Sequence, residues 1–438
     1  MQKKLIALAV AGLSTAAFAQ TNVTIYGVAD VSAQGTTMNK SVAPGSNPAD
    51  GSAFNLKNNS SLIGFKGTED LGNGLKGLFQ IETNVNMTGQ SAGQGVAANT
   101  TNSNFGSLRD TYVGASSKYG TVMGGYLSTP FRSALTSFDV MPGATGDGRI
   151  ENLLGGFRMS GSTVGLANST GYLAANSSVR ATALAYAMPT LYGFTGAIAY
   201  TGSNNNGGSN QTTVGPVTVN STGGMTSQTN LAPQSALSLN LGWEGYGFGI
   251  KGAFQQAKVN NSATLTAPIP VANINNVEVN VAGSASSTMN VQALTSYLVG
   301  ASYTGVPGLK VAVVYNRNTV GTNNENANSL IGGGASKLSN NAIYAGTSYR
   351  WGNWEPRLSY QHVSNTSGSE NYGGQDGANQ WTANVGYYLS KRTQVYGIVS
   401  GLKNNANSVY NLASGGTSLQ STGGQSFLTY GMGMRTNF

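Results

Sequence analysis

The sequence predicts an all-β protein: a 16-stranded antiparallel transmembrane β-barrel with short turns on one side and long loops on the other. Three observations predict this fold. Apolar and polar residues alternate in segments of about 9 to 11 residues, the length of a tilted strand that crosses the hydrocarbon layer. Short turns alternate with long polar connections along the chain. Only 9% of the residues are charged, against about 25% in soluble domains.

The chain begins with a predicted secretory signal peptide at residues 1–19. Two lysines precede an apolar run, and the motif "AFA" ending at Ala19 has the small-x-small pattern of a signal-peptidase site. A membrane anchor is the alternative, but the apolar run is far shorter than the roughly 20 residues that a spanning helix needs. The barrel is therefore expected at residues 20–438. Removal of the two lysines lowers the formal net charge from +8 to +6.

The predicted strands carry apolar residues at every second position. In "LSLNLGWE", from Leu237 to Glu244, the leucine and tryptophan side chains share one face. In "LKGLFQIETNV", from Leu75 to Val85, Leu78 is the one exception. The sixteen strands are predicted to begin near Val23, Asn59, Gly74, Gly106, Gly120, Ser177, Tyr192, Ser235, Gly247, Leu294, Leu309, Asn340, Asn353, Asn379, Arg392 and Ser426.

The connections between these segments alternate in length. Short turns such as "DLGNG", "EGYG", "GVPG", "WGNW" and "SKR" alternate with long polar stretches, including residues 202–234 and 259–293. Transmembrane barrels have this asymmetry because their periplasmic turns are short and their extracellular loops are long. A soluble β-solenoid or multi-sandwich protein would also have short strands and glycine-rich turns, but it does not predict the alternation.

The last residues, "SFLTYGMGMRTNF", continue the alternation to the end of the chain. Lipid offers no hydrogen-bond partner to an open sheet edge, so the last strand of a membrane barrel must pair with the first. We therefore expect the strand that ends at Phe438 to pair with the strand that begins near Val23. Phe438 is then expected at the membrane interface, where aromatic residues are enriched.

The composition excludes several kinds of site. The chain has no cysteine and a single histidine, His362, so a disulfide framework, a cysteine-ligated metal and a histidine cluster are all excluded. An enzyme with a Ser-His-Asp triad would have to use His362, which shares the apolar face with Leu358 and Tyr360. Basic residues do not cluster as in nucleic-acid-binding proteins, and no acidic run has calcium-loop spacing. We expect no cofactor, no metal and no catalysis.

Four stretches resemble a known family: "VTIYGVAD", "IGFKGTEDLGNGLKGLFQIE", "RDTYVGASSKYGTVMGG" and the terminal "RTNF". They are similar to the Gram-negative general porins of β- and γ-proteobacteria, especially those of Burkholderia, Bordetella and Neisseria relatives. The resemblance covers essentially all of residues 20–438 in strand order. It implies a homotrimer of 16-stranded barrels in the outer membrane, through which small hydrophilic solutes and ions diffuse.

The same resemblance implies partners for assembly and for the membrane. In such proteins the last strand, which ends in phenylalanine, is read by the barrel assembly machinery. Tyr430 and Phe438 are therefore expected to form an assembly signal. Outer-membrane lipid and lipopolysaccharide are the expected surroundings of the barrel.

The family's third loop follows the fifth strand, bends into the barrel and narrows it. The matching stretch here is "STPFRSALTSFDVMPGATGDGRIENLLGGFRM", which has more charged and helix-forming residues than the other long loops. An ordinary surface loop is the alternative. The residues of this stretch that are expected to form or border a pore constriction are Arg132, Asp139, Asp147, Arg149, Glu151 and Arg158.

The opposite wall of such a constriction carries basic residues in this family. Arg180 matches the basic position of the sixth strand, and Arg109 occupies a similar place. Alternation directs four more basic side chains toward the lumen: Lys66, Lys76, Lys251 and Arg435. Where the family often has Ser-Arg before the Gly-Phe of the second strand, this chain has "SLIGF", so one wall charge is missing. The net charge of +6 and the wall cations favour a mild preference for anions.

Other functions of a barrel stay open. The long Asn/Ser/Thr-rich loops are compatible with a substrate-specific channel or with an adhesin, although exposed loops commonly have this composition. A sugar-specific channel would carry a row of aromatic residues along one lumen wall. Tyr344, Tyr388 and Tyr396 are in the lumen phase, but they do not form an evident row.

Overall fold

The computed structural model describes twelve parts of the chain. The predicted signal peptide, residues 1–19, lies outside them. The described residues are 22–39, 51–88, 105–141, 146–160, 172–202, 217–220, 229–231, 235–268, 284–322, 337–368, 375–412 and 424–438.

Strands make up most of the described residues. They are β1 (Asn22–Met38), β2 (Gly51–Asn58), β3 (Leu62–Gly72), β4 (Leu75–Val85), β5 (Phe105–Leu108), β6 (Thr111–Ser117), β7 (Gly120–Ser128), β8 (Gly156–Ser160), β9 (Tyr172–Asn176), β10 (Arg180–Ala187), β11 (Phe194–Thr201), β12 (Val217–Asn220), β13 (Thr229–Leu231), β14 (Ser235–Gly245), β15 (Phe248–Pro268), β16 (Ser284–Tyr303), β17 (Leu309–Thr322), β18 (Lys337–Tyr349), β19 (Trp354–Val363), β20 (Ala378–Tyr388), β21 (Thr393–Asn404) and β22 (Ser426–Asn437).

In the described ranges, helical structure is confined to the connection after β7. It consists of α1 (Pro130–Ser137) and two short 3-10 segments, Gly146–Gly148 and Ile150–Asn152. None of these helices is long and apolar enough to span a membrane.

Eighteen of these strands join in one antiparallel sheet that closes on itself. β2 and β3 lie end to end beside β1, and β5 and β6 lie end to end beside β4. Each of these two pairs therefore counts as one crossing of the membrane, and the sheet is a closed 16-stranded barrel. The predicted fold class is confirmed.

The second barrel strand is broken between β2 and β3. Ser60 adopts a left-handed backbone with φ of 59°, a conformation that a strand cannot continue. The break is tied to β1, because the Asn59 N–H donates to the Asp30 carbonyl at 2.9 Å and the Asp30 N–H donates to Ser61 Oγ at 2.9 Å. The sequence pattern places the start of this strand near Asn59 and so misses β2.

The barrel distributes apolar and polar side chains in the opposite way to a soluble protein. Large apolar side chains point outward and are exposed, among them Ile25, Ile250, Leu358 and Met432. The inner face carries polar side chains, which are buried by the curvature of the wall and by a loop inside it. A sheet that is apolar outside and polar inside fits lipid around it and water within it.

The barrel closes between its first and last strands. β22 pairs with β1 from Asn437 beside Val28 to Phe427 beside Met38. At the end, the Gly27 N–H donates to the Phe438 carbonyl at 2.9 Å, and the Phe438 N–H donates back at 3.0 Å. The predicted pairing of the two terminal strands is therefore confirmed.

A polar group of four side chains, the seam cluster, bridges this junction from inside. The Asp30 carboxylate accepts hydrogen bonds from the Tyr396 hydroxyl at 2.7 Å, Asn59 Nδ2 at 3.2 Å and Arg435 at 3.4 Å. Tyr396 lies on β21 and reaches across β22 to β1. It can do so because Gly433 has no side chain, and a Cβ at that position would lie 2.5 Å from the tyrosine ring.

A second, four-stranded sheet is separate from the sheet of the barrel and has the order β13, β12, β9, β8. Its strands β12 and β13 fall within residues 202–234, which the sequence pattern predicts as one long loop. These two strands have four and three residues, too few to show a period.

Candidate functional site

The connection after β7 folds into the barrel and forms the candidate site. We call residues 129–155 the inward loop; residues 142–145 of it lie outside the described ranges. The loop leaves the wall after β7 and returns toward β10, the next strand of the barrel.

The first half of the inward loop is the helix α1, which is capped at both ends. Thr129 Oγ1 accepts the Arg132 N–H at 3.3 Å, and a proline fills the first helical position, as at many helix N-termini. At the other end, Lys310 Nζ donates to the carbonyls of Ser137 at 3.0 Å and Asp139 at 2.7 Å. A cation there satisfies carbonyl groups that the helix leaves without partners.

The outgoing half of the inward loop is bonded to the wall of the later strands. The Phe131 N–H donates to Ser238 Oγ on β14 at 3.0 Å. Further along, the Val140 N–H donates to the Tyr344 hydroxyl on β18 at 3.0 Å. The loop therefore crosses β14 to β18 on the inner face.

The returning half follows the same wall. Gln361 on β19 donates to the Arg149 carbonyl at 2.9 Å, and Asn316 on β17 accepts the Gly155 N–H at 2.8 Å. In a ring of sixteen strands, β6 lies opposite β18 and β4 lies opposite β17. The remaining lumen therefore lies between the inward loop and the wall of β4 and β6.

Apolar side chains on the wall-facing side of the inward loop pack against the barrel wall. Phe131, Leu135, Phe138, Met141 and Leu153 are at most 3% exposed. The Phe138 ring lies over Gly300 on β16, where an added Cβ would come within 2.6 Å of it. The loop is thus docked by burial as well as by hydrogen bonds.

The Asp139 carboxylate connects several groups in the middle of the inward loop. Its carboxylate accepts the N–H groups of Met141 at 2.9 Å and Ile150 at 3.1 Å and the Tyr344 hydroxyl at 3.3 Å. Burial raises the pKa of the Asp139 carboxyl to about 7, although the two N–H groups work in the opposite direction. Asp139 therefore bridges the outgoing and returning halves.

Asp147 lies at the far end of the inward loop and is fully buried. Its carboxylate is 3.3 Å from Lys57 Nζ on β2, and neither side chain is exposed. Its main-chain carbonyl accepts bonds from Asn152 and Gln380. Asp147 thus connects the loop to the wall on both sides of the junction between β22 and β1.

Arg132 and Glu151 form a two-pronged ion pair within the inward loop, and Ser178 also donates to the carboxylate. Burial works to raise the pKa of the Glu151 carboxyl, but Arg132 and Arg149 overcome this effect and hold its pKa below the usual range. Arg132 and Glu151 neutralise each other near the start of β10.

Two predicted wall residues lie near this pair. Arg109, between β5 and β6, pairs with Glu82 on β4. Arg180, the first residue of β10, pairs with Asp110 at 3.2 Å. Arg180 is also within electrostatic range of Arg109 and Arg132, so the structure brings these three predicted arginines together.

Arg149 and Arg158 complete the predicted set. Arg149 is partly buried beside the second 3-10 segment and within electrostatic range of Glu151. The backbone of Arg158 lies in β8, in the four-stranded sheet, and its side chain is outside the described part. The inward loop thus carries five of the predicted residues, Arg132, Asp139, Asp147, Arg149 and Glu151, while Arg109 and Arg180 lie on the wall beside it.

Sequence reasoning missed several charged residues of the lumen. Lys57 was missed because β2 was not recognised from the sequence. Lys310 was missed although it lies between the outward-pointing Leu309 and Val311, so that alternation directs its side chain into the lumen. Arg357 is 2% exposed and bonds to Glu355 at 2.7 Å on the same strand. Alternation along β17 and β19 was the signal that would have found the last two.

The described lumen surface combines paired charges with neutral polar groups. The described lumen pairs most of its arginines with carboxylates and lines the rest of the wall with amides and hydroxyls. Within the described ranges, no group of three or more His, Asp or Glu side chains is placed to hold a metal ion. Such a surface offers hydrogen bonds to water and to polar solutes.

Comparison with known proteins gives a consistent result. A family model described as Gram-negative porin matches residues 5–407. Major outer membrane protein P.IB of Neisseria gonorrhoeae is 27% identical over 207 residues, which are 47% of this chain and 50% of that protein. Outer membrane porin protein 32 of Delftia acidovorans is 36% identical over 34% of this chain and 38% of its own. The match therefore spans half or less of these curated relatives.

Solved structures share the fold over nearly the whole length. The anion-selective porin from Comamonas acidovorans has a TM-score of 0.63 at 20% identity, covering 96% of this chain and 100% of its own. OmpT of Vibrio cholerae, solved in a trimer form, has a TM-score of 0.52 at 12% identity, covering 95% and 99%. At these identities the likeness concerns the fold alone.

Proposed function

Because the chain belongs to the family of Gram-negative porins and is located in the outer membrane, we propose that it is a diffusion channel for small hydrophilic solutes and ions. One observation carries this proposal: a closed barrel with an apolar outer face and a polar lumen, narrowed by a loop docked on one wall. A barrel of 16 strands is wide enough to leave an aqueous channel. The channel would act as a homotrimer.

The pore constriction would be bordered by the inward loop and the facing wall. Arg132, Asp139, Asp147, Arg149 and Glu151 belong to the loop, with Arg158 beyond it. Arg109 and Arg180 lie across from it or beside it. The buried positions of Asp139 and Asp147 support an anchoring part in this constriction. The side chains of Arg109, Arg132 and Arg180 keep 16–18% of their surface exposed, which supports contact with the passing solute.

A mild preference for anions is part of the proposal. The net charge of +6 after signal removal supports it, as do the two neutral carbonyl partners of Lys310. Lys251 supports it too, since its nearest carboxylate, Glu244, is 4.0 Å away at the exposed rim.

The experiment is single-channel recording of the refolded protein in a planar bilayer, with a salt gradient to give the reversal potential. Long-lived conducting steps that close in thirds would support a trimeric channel, and a reversal potential of the anionic sign would support the preference.

Replacing Lys251 with glutamine is expected to move the reversal potential toward the cationic side. Lys118→Gln, in an exposed turn outside the lumen, is the matched control. Stable insertion without conductance would contradict an open diffusion channel. It would favour one of the two alternatives, a substrate-specific channel or an adhesin.

We also propose that Tyr430 and Phe438 form a signal for the barrel assembly machinery. The exposure of both side chains on the outer face of the last strand supports this. Deleting Phe438 is expected to reduce the amount of barrel that reaches the outer membrane, because the machinery would no longer read the terminal aromatic. Met432→Ala, on the same face, is the control. Equal membrane levels of the deletion variant and the wild type would contradict the signal.

Lipopolysaccharide is proposed as a further partner. Four cations lie on the loop side of the wall, where anionic headgroups are expected. Lys337 and Lys403 lie at the loop ends of β18 and β21, Arg317 lies five residues before the end of β17, and Lys258 lies beside Ser235, the first residue of β14. Added lipopolysaccharide is expected to raise the unfolding temperature of the wild type more than that of a variant with glutamine at all four positions. An equal rise in both proteins would rule out these contacts.

The docking of the inward loop is expected to depend on pH through Asp139. The pKa of its carboxyl is about 7 in the docked loop and near its ordinary value when the loop is released. The docked form therefore holds its proton more tightly, and docking loses stability as the pH rises toward and through about 7. Current fluctuations should be more frequent at pH 8 than at pH 5. Asp139→Asn should remove this difference, and an unchanged pH profile in that variant would contradict the assignment.

A further inference from the structure

We propose that Lys57 is a positioning residue for the inward loop, and that the end of the loop braces the barrel across its closing junction. Lys57 and Asp147 together hold the loop to both sides of the pairing between β22 and β1. The effect of this bracing on conduction rests on the proposed channel function. The bracing itself does not.

The first observation is the position of the ion pair in the ring of strands. Lys57 lies on β2, beside Ser32 of β1, and its ammonium group is 3.3 Å from the Asp147 carboxylate. Neither side chain has exposed surface. Asp147 is therefore tied to β2, in the second strand of the barrel.

The second observation concerns the other side of Asp147. Its main-chain carbonyl accepts hydrogen bonds from Gln380 on β20 and from Ser400 on β21, the latter at 3.4 Å. Between β21 and β2 lie only β22 and β1, which meet at the closing junction. One residue of the loop thus contacts strands on both sides of the junction.

The third observation concerns the charge of the buried Asp147 carboxylate. A carboxylate without exposed surface is unfavourable unless a cation compensates it, and Lys57 supplies that cation. Loss of either partner leaves one buried charge, which is far less favourable than the intact pair. The loop end should then leave the wall so that its charge can reach water.

The seam cluster lies at the same closing junction as the ion pair. Asp30, Asn59 and Tyr396 bridge the same junction through the wall itself. The inward loop adds a second bridge that lies on the inner surface. β2 and β21 stand on either side of Asp147 only when the barrel is closed, so the loop end can dock fully only after closure.

The test is hydrogen exchange, measured by mass spectrometry on the full-length refolded protein in detergent. In Lys57→Met, amides of residues 146–155 are expected to exchange about tenfold faster, because the loop end opens locally. Lys66→Met is the matched control: it removes a lysine that stacks on Tyr26, and exchange of residues 146–155 should not change. The exchanged pair, Lys57→Asp with Asp147→Lys, is expected to restore slow exchange.

Several outcomes would overturn the proposal. Unchanged exchange in Lys57→Met would do so, as would equal acceleration in Lys66→Met, which would indicate general loosening. Should Lys57→Met fail to fold, Asp147→Asn gives the same test with the volume kept, and slow exchange in that variant counts against the ion pair.

Conductance is recorded on the same preparations. A rise in current fluctuations in Lys57→Met, reversed in the exchanged pair, supports a positioning role in the pore. Faster exchange with an unaltered current would overturn that role. Absence of current in the wild type would contradict the channel function alone, because the exchange results stand without it.

Discussion

Replacing Asp30 with alanine is expected to destabilise the closed barrel by about 3–5 kcal/mol, the usual cost of removing one partner from a buried ionic group. The carboxylate is buried and accepts bonds from Tyr396, Asn59 and Arg435. Its removal deprives the Tyr396 hydroxyl and the Arg435 guanidinium of this acceptor at the junction of β1 and β22, while the Asn59 amide keeps its bonds to Ser32 and Tyr396. Unsatisfied groups in such a place cost more than the bonds contributed.

The measurement is the temperature at which the folded barrel converts to the unfolded form on a denaturing gel, together with a urea titration. Asp70→Ala is the control, because Asp70 is exposed near the end of β3. Tyr396→Phe removes the hydrogen bonds of the hydroxyl with Asp30 and Asn59 but keeps the buried carboxylate, so it should have a smaller effect, about 1–2 kcal/mol. A wild-type transition in Asp30→Ala would show that the seam cluster does not stabilise closure.

Replacing Gly300 with valine is expected to dislodge Phe138 and push the inward loop into the lumen. Even the first added carbon would lie 2.6 Å from the ring, and the ring is 3% exposed with the loop packed around it. Overpacking of this kind costs about 1–3 kcal/mol, which is enough to shift a docked loop. The expected result is a lower and noisier single-channel conductance with the barrel still closed.

Gly252→Val is the matched control for this substitution. Gly252 lies on the neighbouring strand, beside Val299, and a Cβ there has room, with its nearest neighbour at 3.8 Å. It should leave the conductance unaltered. Adding Phe138→Ala to Gly300→Val should restore part of the current, and failure to do so would show that the ring is not the cause.

Much of the fold follows from the sequence because a membrane strand reveals itself by its period. β4 occupies Leu75–Val85, the bounds that alternation alone predicts. The start of β14 at Ser235 was also predicted. The pairing of Phe438 with the first strand follows from the rule that a sheet in lipid has no free edge.

The misses have local physical causes. At Ser60 the backbone turns left-handed, which resets the alternation and hides β2 and with it Lys57. The wall partners of Asp139 and Asp147 come from strands about 200 residues away or more, or from β2. No pattern along the chain records such pairings. Residues of the inward loop could therefore be proposed from sequence, but their contacts could not.

The pairing of lumen arginines with carboxylates has a consequence for what a solute experiences. Arg109, Arg132 and Arg180 each stand beside an opposite charge within the same part of the lumen. The field of such a pair falls off faster with distance than that of a single charge, and salt shortens its range further. A molecule that passes through the proposed channel would therefore meet small dipoles of changing direction. They exert a torque that orients a polar solute, so its shape and dipole moment matter beside its net charge.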